Sequence, residues 1–497
     1  MKLEREAKLE VEPGFRMPDL SSLDGSFCGR SGTTERFVST YHDTDDLRLV
    51  RWGASLRYRN TEGWVVKLPR SVAAPTVVRQ EHSFDGGAGK APAEAADLVR
   101  GLVRGGSIGP VLRLQTVRHR TRIVRPADDR MVAEVVDDEV SVLEGRRIVD
   151  RFREIEVELA HDAADPAMAP IVDLLIDAGA RIGEPLPKIV RALGERAHAP
   201  PDVVAAEVGP SSTVEEVVRS TIATSTRRLM QHDAVVRLGV DPEGVHQARV
   251  ATRRIRSDLR TFRSLLEPRW RDELRGELGW LGRELGGVRD CDVLGERLRE
   301  DALLLPDDDA TNVAKVLDRL RARRDAARAE MLSAMREPRY LRLLDALVAA
   351  SAEPCMLRDV AGAPAAEVMG VLMDSPWGHL KKLCDGLGPD SADAELHEAR
   401  IRAKRVRYAA EVLTPVFGKP ARTFARRAET LQEVLGSHQD AVMAIAWLRE
   451  QAGGATPRVA FTAGRLAGIE ATGRDEARRA WPDAWAGLRR KRLRFWE

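Results

Sequence analysis

Two stretches, 245-VHQARVATRRIR-256 and 396-LHEARIRAKRVR-407, set the same residue types in the same order. In each, a histidine is followed three places on by an arginine and then by a run of cations. At about 100° per residue of an α-helix, His246, Arg249, Arg253, Arg256 and Arg260 line up along one narrow stripe. Ala248, Ile255, Leu259, Phe262 and Leu266 fall on the opposite side. The second copy puts His397, Arg400, Lys404 and Arg407 on one face and Ala399, Ala403, Val406 and Leu413 on the other. Each helix is therefore expected to be anchored by an apolar face and to display a cationic one. A looser pair of landmarks, 281-LGRELGGVRD-290 and 431-LQEVLGSHQD-440, follows its histidine at nearly the same separation. Two matched landmarks at a near-constant offset predict a duplicated helical unit, two similar bundles about a pseudo-twofold axis with the site at their shared interface.

A column of like charges costs stability, since cations three and four places apart repel by about 0.2–0.5 kcal/mol per pair. An anion lying along the column reverses that sign. An ordinary solvated face mixes Glu among its Lys and Arg, whereas the first stripe has none until well past Arg260. Arginine suits phosphate in particular, because its planar fork makes two parallel contacts. Asp241 and Pro242 read as an N-cap and first-turn pair, which would place His246 near a helix start and its free backbone N–H groups. Asp290 and Asp440 are expected to orient arginines or cap turns rather than to do chemistry.

These paired H-x-x-R-x-x-x-[RK]-R-x-R helices, with the later L-G-x-x-R-D and L-G-x-x-Q-D segments, resemble the CHAD family, the conserved-histidine α-helical domains. The likeness covers roughly residues 213 to 497. It implies binding of inorganic polyphosphate in a basic channel between two helical halves. The stripes by themselves imply only a polyanion.

The rest of the chain sets bounds on this reading. At 497 residues there is room for two or three domains. Lys+Arg 79 against Asp+Glu 77 nearly cancel, so attraction to an anion must come from local segregation of charge. Cys28, Cys291, Cys355 and Cys384 form no C-x-x-C pair, which argues against a zinc site or a disulfide framework. No apolar run approaches the roughly 20 residues of a membrane span. The expectation is a cytoplasmic protein with no membrane partner, associated with polyphosphate granules if the helices bind as the resemblance implies. Period-two alternation broken by turn clusters predicts a β-rich domain over 1–198. The proline-rich stretch 199–212 reads as a linker, and 213–497 as all-α. The fold class is thus α+β multidomain.

In the alternating half, 4-EREAK-8 puts Glu4, Glu6 and Lys8 on one side of a strand. The same alternation recurs in Arg57 and Arg59, in Lys67, in Arg118, Arg120 and Arg122, and in Glu154, Glu156 and Glu158. A solvated antiparallel sheet also alternates, but closing such a sheet into a barrel turns one face into a lumen. A lumen with carboxylates and cations suits a divalent ion, whose preferred ligands are oxygens, together with the phosphates that Arg and Lys clamp. The E-x-E-x-K strand, followed by L-R-x-R, W-V-V-K-L-P, E-I-E-V-E-L and 187-PK-188, resembles the CYTH family of triphosphate tunnel metalloenzymes over residues 1 to about 195. The resemblance implies an antiparallel β-barrel tunnel with Mg²⁺ or Mn²⁺ held by Glu4, Glu6, Glu156 and Glu158. Lys8, Arg57, Arg59, Lys67, Arg120 and Lys188 would face the triphosphate. Glu134 and Asp138 share a parity and would add a ligand, with Asp137 a rival. Arg118 competes with Arg120, and which two of the three acids in 154-EIEVE-158 serve the metal is open.

The combined expectation is a metal-dependent hydrolase of inorganic tripolyphosphate or polyphosphate, or of another triphosphate such as thiamine or nucleoside triphosphate, since the named tunnel residues address only phosphates and metal. Catalysis would centre on Glu4, Glu6 and Lys8, with the helical domain holding the chain. Two rivals stand beside it. One is a non-catalytic polyphosphate-binding protein. The other, nucleic-acid binding, is weaker because neither stripe interleaves the aromatics of single-strand platforms.

Overall fold

The computed structural model describes residues 6–497 apart from 13, 22, 24–26, 74–75, 161–167, 184–185, 358 and 389; for Glu6 and for 70–73 and 76–79 the description is of the backbone. The chain divides into two compact units, Met1–Asp202 and Val203–Glu497.

The first unit is built on one antiparallel sheet. Its strands are β1 (Glu6–Val11), β2 (Cys28–Asp43), β3 (Ser55–Arg59), β4 (Gly63–Ala73), β5 (Thr76–Phe84), β6 (Gly109–Arg125), β7 (Arg130–Glu144), β8 (Arg147–Leu159) and β9 (Arg181–Ile182). Their order is β5-β4-β3-β2-β6-β7-β8-β1-β9. The sheet curls so that β1 approaches β5, but among the described residues no hydrogen-bonded ladder joins them. The expected barrel is therefore a tunnel-like curled sheet, left open where that ladder would lie. Four helices accompany it: α1 (Arg48–Arg51), α2 (Ala93–Val103), α3 (Met168–Asp177) and α4 (Lys188–Leu193).

Alternation decides what each face of this sheet holds. Leu9, Val11, Ile123, Val135, Ile155 and Val157 pack beneath Ile171 and Leu175 of α3, so the convex face is apolar and covered. The other parity faces the concave side. There Tyr41, Leu112, Leu114, Val140 and Val142 close on Ile189 of α4, which fills part of the lumen. Charged residues occupy the remainder. A solvated sheet would expose its charged face, whereas Arg57, Arg59, Asp138, Glu154 and Glu156 are all buried. Charges taken out of water must be paired or await a ligand.

The second unit is helical: α5 (Val214–Leu238), α6 (Pro242–Thr261), α7 (Pro268–Ala302), α8 (Ala310–Arg336), α9 (Pro338–Ala352), α10 (Ala365–Val368), α11 (Asp374–Cys384), α12 (Asp393–Phe417), α13 (Lys419–Ala452) and α14 (Pro457–Leu488). The order of elements repeats. A stripe helix, α6 or α12, is followed by two long ones of 35 and 27 residues in the first run and 34 and 32 in the second. Thr213 and Glu216 form a capping box at the start of α5. Asp241 caps α6 through the Glu243 N–H, with Pro242 in the first turn. The apolar faces behave as expected: Ala248, Ile255, Leu259, Phe262 and Leu266, and likewise Ala399, Ala403, Val406 and Leu413, are buried. α6 packs on α12, which brings the two stripe helices together.

Candidate functional site

Backbone register arranges the concave face of the sheet in rows. Glu158 of β8 lies opposite Glu6 of β1 on one side and Glu134 of β7 on the other. The next row runs Lys8, Glu156, Val136 and Arg120, and the next Glu10, Glu154, Asp138 and Arg118. Paired residues on neighbouring strands point to the same face, so a carboxylate on β8 always has a cation within one or two strands. Lys188 enters from outside the sheet, as the first residue of α4 after Pro187. Because α4 is docked through Ile189, its first turn is held inside the lumen.

The side chains form a dense network. Lys188 Nζ lies 3.0 Å from Asp138, 2.8 Å from Glu156 and 2.5 Å from Glu154. Lys8 Nζ donates to Glu156 at 2.7 Å. Arg118 grips Asp138 with both arms, at 2.8 and 2.6 Å, and Arg120 pairs with Glu134. Across the lumen, Arg57 donates to Glu62 at 3.0 Å and Arg59 to the same carboxylate. Lys67 pairs with Glu81. Of these groups, Lys8, Arg57, Arg59, Glu62, Lys67, Glu81, Arg118, Arg120, Glu156 and Lys188 line a cavity of about 340 Å³, a volume in the range of small-molecule sites.

Electrostatics follow from burial against pairing. Burial pushes the Glu156 carboxyl up, yet Lys188, Lys8 and Arg118 together overcome it and hold it well below the usual range. Asp138 is likewise lowered, burial opposing and Lys188 and Arg118 prevailing. Lys188 answers with the reverse: burial pulls it down, while Glu154, Glu156 and Asp138 hold it well above its ordinary value. On the opposite wall balance fails. Burial and the nearness of Arg57 bring Arg59 down to about 10 despite Glu62.

The alternatives left open by alternation take definite positions. Asp138 faces the lumen; Asp137 turns to the other face, where Arg153 holds it at 2.8 and 2.7 Å. No bulge exchanges them, since the β7–β8 register stays continuous there. Arg118 and Arg120 both line the cavity, Arg118 in the Asp138 row and Arg120 in the Glu156 row. Glu154 is taken by Lys188 and approached by Arg191 at 3.7 Å, whereas Glu156 and Glu158 line the cavity. Glu4 lies outside the described residues, and Glu6 is placed by its backbone only. Sequence reasoning passed over Glu62 and Glu81. Glu62 sits in the turn 60-NTEG-63 and gave no strand signal; Glu81 shares a strand face with Ser83 and could have been found by parity with Lys67.

In the helical unit the repeat extends to side-chain contacts. Arg249 pairs with Asp290 at 3.1 Å and Arg400 with Asp440 at 3.4 Å. Gly286 and Gly436 leave room for those arginines: a Cβ at Gly286 would stand 2.4 Å from Arg249 Nη1, and one at Gly436 3.4 Å from Arg400 Nε. Each L-G…D segment thus positions the first arginine of its own stripe. The stripes converge, because burial and then Arg400 and Arg253 drive Lys404 down to about 7. Arg249 is also lowered, by burial and, against Asp290, by Arg253, Arg289 and Arg400. Arg253 and Arg256 are exposed.

Arg407 lines one cavity with His246 and Arg253 but is ion-paired there. Glu411 and Glu429 hold it at 2.6 and 2.9 Å, whereas Arg405 comes near Arg260 instead. His246 lines a cavity of about 550 Å³ with Arg228, Arg253, Arg254 and Tyr408, and burial followed by Arg289 lowers its pKa. The buried Nδ1 of His397 has no hydrogen-bond partner among the described residues.

For a metal the relevant test is the donor set. Among the described residues no three Asp, Glu, His or Cys side chains converge closely enough to hold an ion. Glu158 and Glu134, opposite each other in the ladder, nevertheless supply carboxylate oxygens of the hard type that Mg²⁺ and Mn²⁺ take. Among the described residues no helix is long and apolar enough to cross a membrane.

A curled antiparallel sheet with a charged, buried concave face, followed in the chain by a helical unit with repeated arginine helices, defines a two-domain class of protein. The profile of the CYTH domain matches residues 2–171 and that of the CHAD domain residues 220–449. Two Mycobacterium tuberculosis proteins, Uncharacterized protein MT2285 of strain CDC 1551 and Uncharacterized protein Rv2226 of strain H37Rv, are each 31% identical over 481 residues, covering 90% of this chain and 89% of their own length. Among solved structures, the CHAD domain from the plant Ricinus communis is similar at 29% identity and a TM-score of 0.48, covering 59% of this chain and 96% of its own. The chain belongs to the family in which a CYTH domain is followed by a CHAD domain.

Proposed function

We propose that the protein hydrolyses the end of an inorganic tripolyphosphate or polyphosphate chain in the tunnel of its first unit, with Mg²⁺ or Mn²⁺, while the second unit binds polyphosphate. The observation that carries this reading is the cavity lined by Lys8, Arg57, Arg59, Lys67, Arg118, Arg120 and Lys188 together with Glu156 and Glu158. Such a density of enclosed cations is stabilised by a multiply charged anion, and phosphate oxygens match the arginine forks. Arg57, Arg59 and Lys67 of β3 and β4, with Arg118 and Arg120 of β6, would hold the phosphates of the chain.

Glu6, Glu158 and Glu134, with Glu4, would hold the ion; Asp138 and Glu156 would orient Lys188, Lys8 and Arg118 toward the terminal phosphate. When bound, a divalent ion offsets the charge of the departing phosphate and favours in-line attack by water. Lys188, kept protonated by its carboxylates, and Lys8 would stabilise charge on the leaving oxygen. In the second unit Arg249, Arg253 and Arg256 with His246, and Arg400 and Lys404 with His397, would grip the polyphosphate backbone; Arg407 would do so only by leaving Glu411.

The test is a panel of tripolyphosphate, long-chain polyphosphate, thiamine triphosphate and ATP, each with and without metal, followed by phosphate release. Metal-dependent cleavage with tripolyphosphate preferred is expected; no cleavage of any triphosphate would leave the non-catalytic binding reading. That second reading draws support from the tunnel's own ion pairs, since Asp138, Glu154 and Glu156 are already engaged by Lys188.

A further inference from the structure

Glu62 stands in the turn between β3 and β4, and its carboxylate serves two lumen arginines at once. Oε2 accepts from Arg57 at 3.0 Å and Oε1 from Arg59. The Glu62 side chain is 40% exposed, whereas those of Arg57 and Arg59 are 10% and 6% exposed. A half-exposed carboxylate therefore reaches back from a turn into an enclosed cationic corner. Charge there does not balance: one carboxylate faces two guanidinium groups, and Arg118 adds a third nearby, its own partner being Asp138. Arg59 is additionally fixed from behind, with its guanidinium stacked 3.9 Å over Phe37 and its Nε donating to Ser39 at 3.3 Å. The two arginine forks are thus pre-aimed at the place where the Glu62 oxygens sit.

We propose that Glu62 is an intramolecular stand-in for a phosphate group, which an incoming triphosphate displaces from Arg57 and Arg59 before it can seat. This rests on the triphosphate reading of the tunnel. A terminal phosphate carries more charge and more acceptor oxygens than a carboxylate, so it wins the exchange. The displaced carboxylate already has half its surface in water and can be rehydrated there, whereas Asp138 and Glu156, buried and tied to Lys188 and Lys8, cannot leave so readily. Apparent affinity is then the intrinsic affinity multiplied by the fraction of time the forks are free of Glu62, the same factor for every ligand that needs them. Glu62 acts as a threshold that weakly charged anions fail to cross.

The experiment titrates metal-free, full-length protein with tripolyphosphate and, separately, pyrophosphate. Glu62→Gln keeps the shape and loses the charge; it is expected to bind both ligands about three- to tenfold more tightly, as loss of a partly exposed charged competitor implies. Glu62→Asp, which keeps the charge but reaches the two arginines less well, is expected to show a smaller gain. In an Arg57→Gln background the gain from Glu62→Gln should shrink, which a general loosening of the unit would not produce. Unchanged or weaker binding in both Glu62 variants, with the parent binding normally, overturns the stand-in role and leaves the tunnel reading intact. Absence of binding by parent and variants alike overturns the triphosphate reading, and this inference with it.

Discussion

Asp137 and Asp138 differ by one position and have opposite surroundings. Asp138 has no exposed surface and neutralises Arg118 and Lys188; Asp137 pairs with Arg153 on the other face. Asp138→Asn should cost about 3–5 kcal/mol, as expected for one partner removed from a buried charge network, and should lower tripolyphosphate turnover at least about tenfold. Asp137→Asn, which weakens a second buried two-point pair, should cost about 1–3 kcal/mol and keep turnover. Thermal melts and phosphate release from the two variants check this. Glu6→Gln, opposite Glu158 in the ladder, should lower turnover strongly with the melting curve unchanged, and full activity at saturating metal would remove Glu6 from the site. The depressed carboxyls of Asp138 and Glu156 add a pH signature. Their contribution to stability is present above the ordinary carboxylate range near 4 and is lost as pH falls through their lower folded values. Acid titration followed by near-ultraviolet circular dichroism of the first unit should show its loss below about pH 4.

At the scale of elements, α6 and α12 act as a pair whose arginines are set by the helices that follow. Gly286→Ala places a Cβ against the Arg249 guanidinium, the far end of a flexible side chain. It should displace that cation and weaken long-chain polyphosphate binding with little loss of stability. Replacing Arg249 and Arg253, or Arg400 and Lys404, should weaken binding in either case and flatten the dependence of log affinity on log salt by about one unit per lost phosphate contact, by analogy with nucleic acids. Full-strength binding with an unchanged slope would return both stripes to solvated surface. Lys404, brought down to about 7 by burial, by Arg400 of its own helix and by Arg253 and Arg249 of α6, against Asp440 of α13, gives the pH arm. Its proton is lost above pH 7 in the free protein and wanted in the complex, so polyphosphate affinity should fall between pH 7 and 9, less steeply in Lys404→Arg. The stability sign is opposite. An unfolded lysine keeps its proton to about 10.4, so stability of the ligand-free second unit should rise as pH goes from 7 toward 10.

For the whole molecule, formal net charge is only +2, so steering toward a polyanion depends on where cations are gathered rather than on their excess. Long polyphosphate has charges enough for the helical stripes; tripolyphosphate has few. The stripe variants should therefore leave tripolyphosphate cleavage unchanged while weakening capture of labelled long chains. Parallel loss of both activities would show that the helical unit serves the tunnel directly.

The helical half was legible in the chain itself because its signal is local: a period of 3.6 and a repeated order of residue types place Ile255 inside and Arg253 outside without knowledge of any neighbour. The same holds for the face on which Arg57, Arg59, Glu156 and Glu158 lie, since strand alternation requires nothing beyond the next residue. Tertiary structure decided what those faces meet. Curling of the sheet, with α3 over its apolar side, made the charged face the buried one; alternation alone permits either. Docking of α4 carried Lys188 to Asp138, Glu154 and Glu156, and a turn returned Glu62 to Arg57 and Arg59. Arg407 was neutralised within its stripe because Glu411 and Glu429 stood within reach. Periodicity fixes the direction of a side chain, while its partner is a matter of long-range packing, and a charge takes its role from the partner.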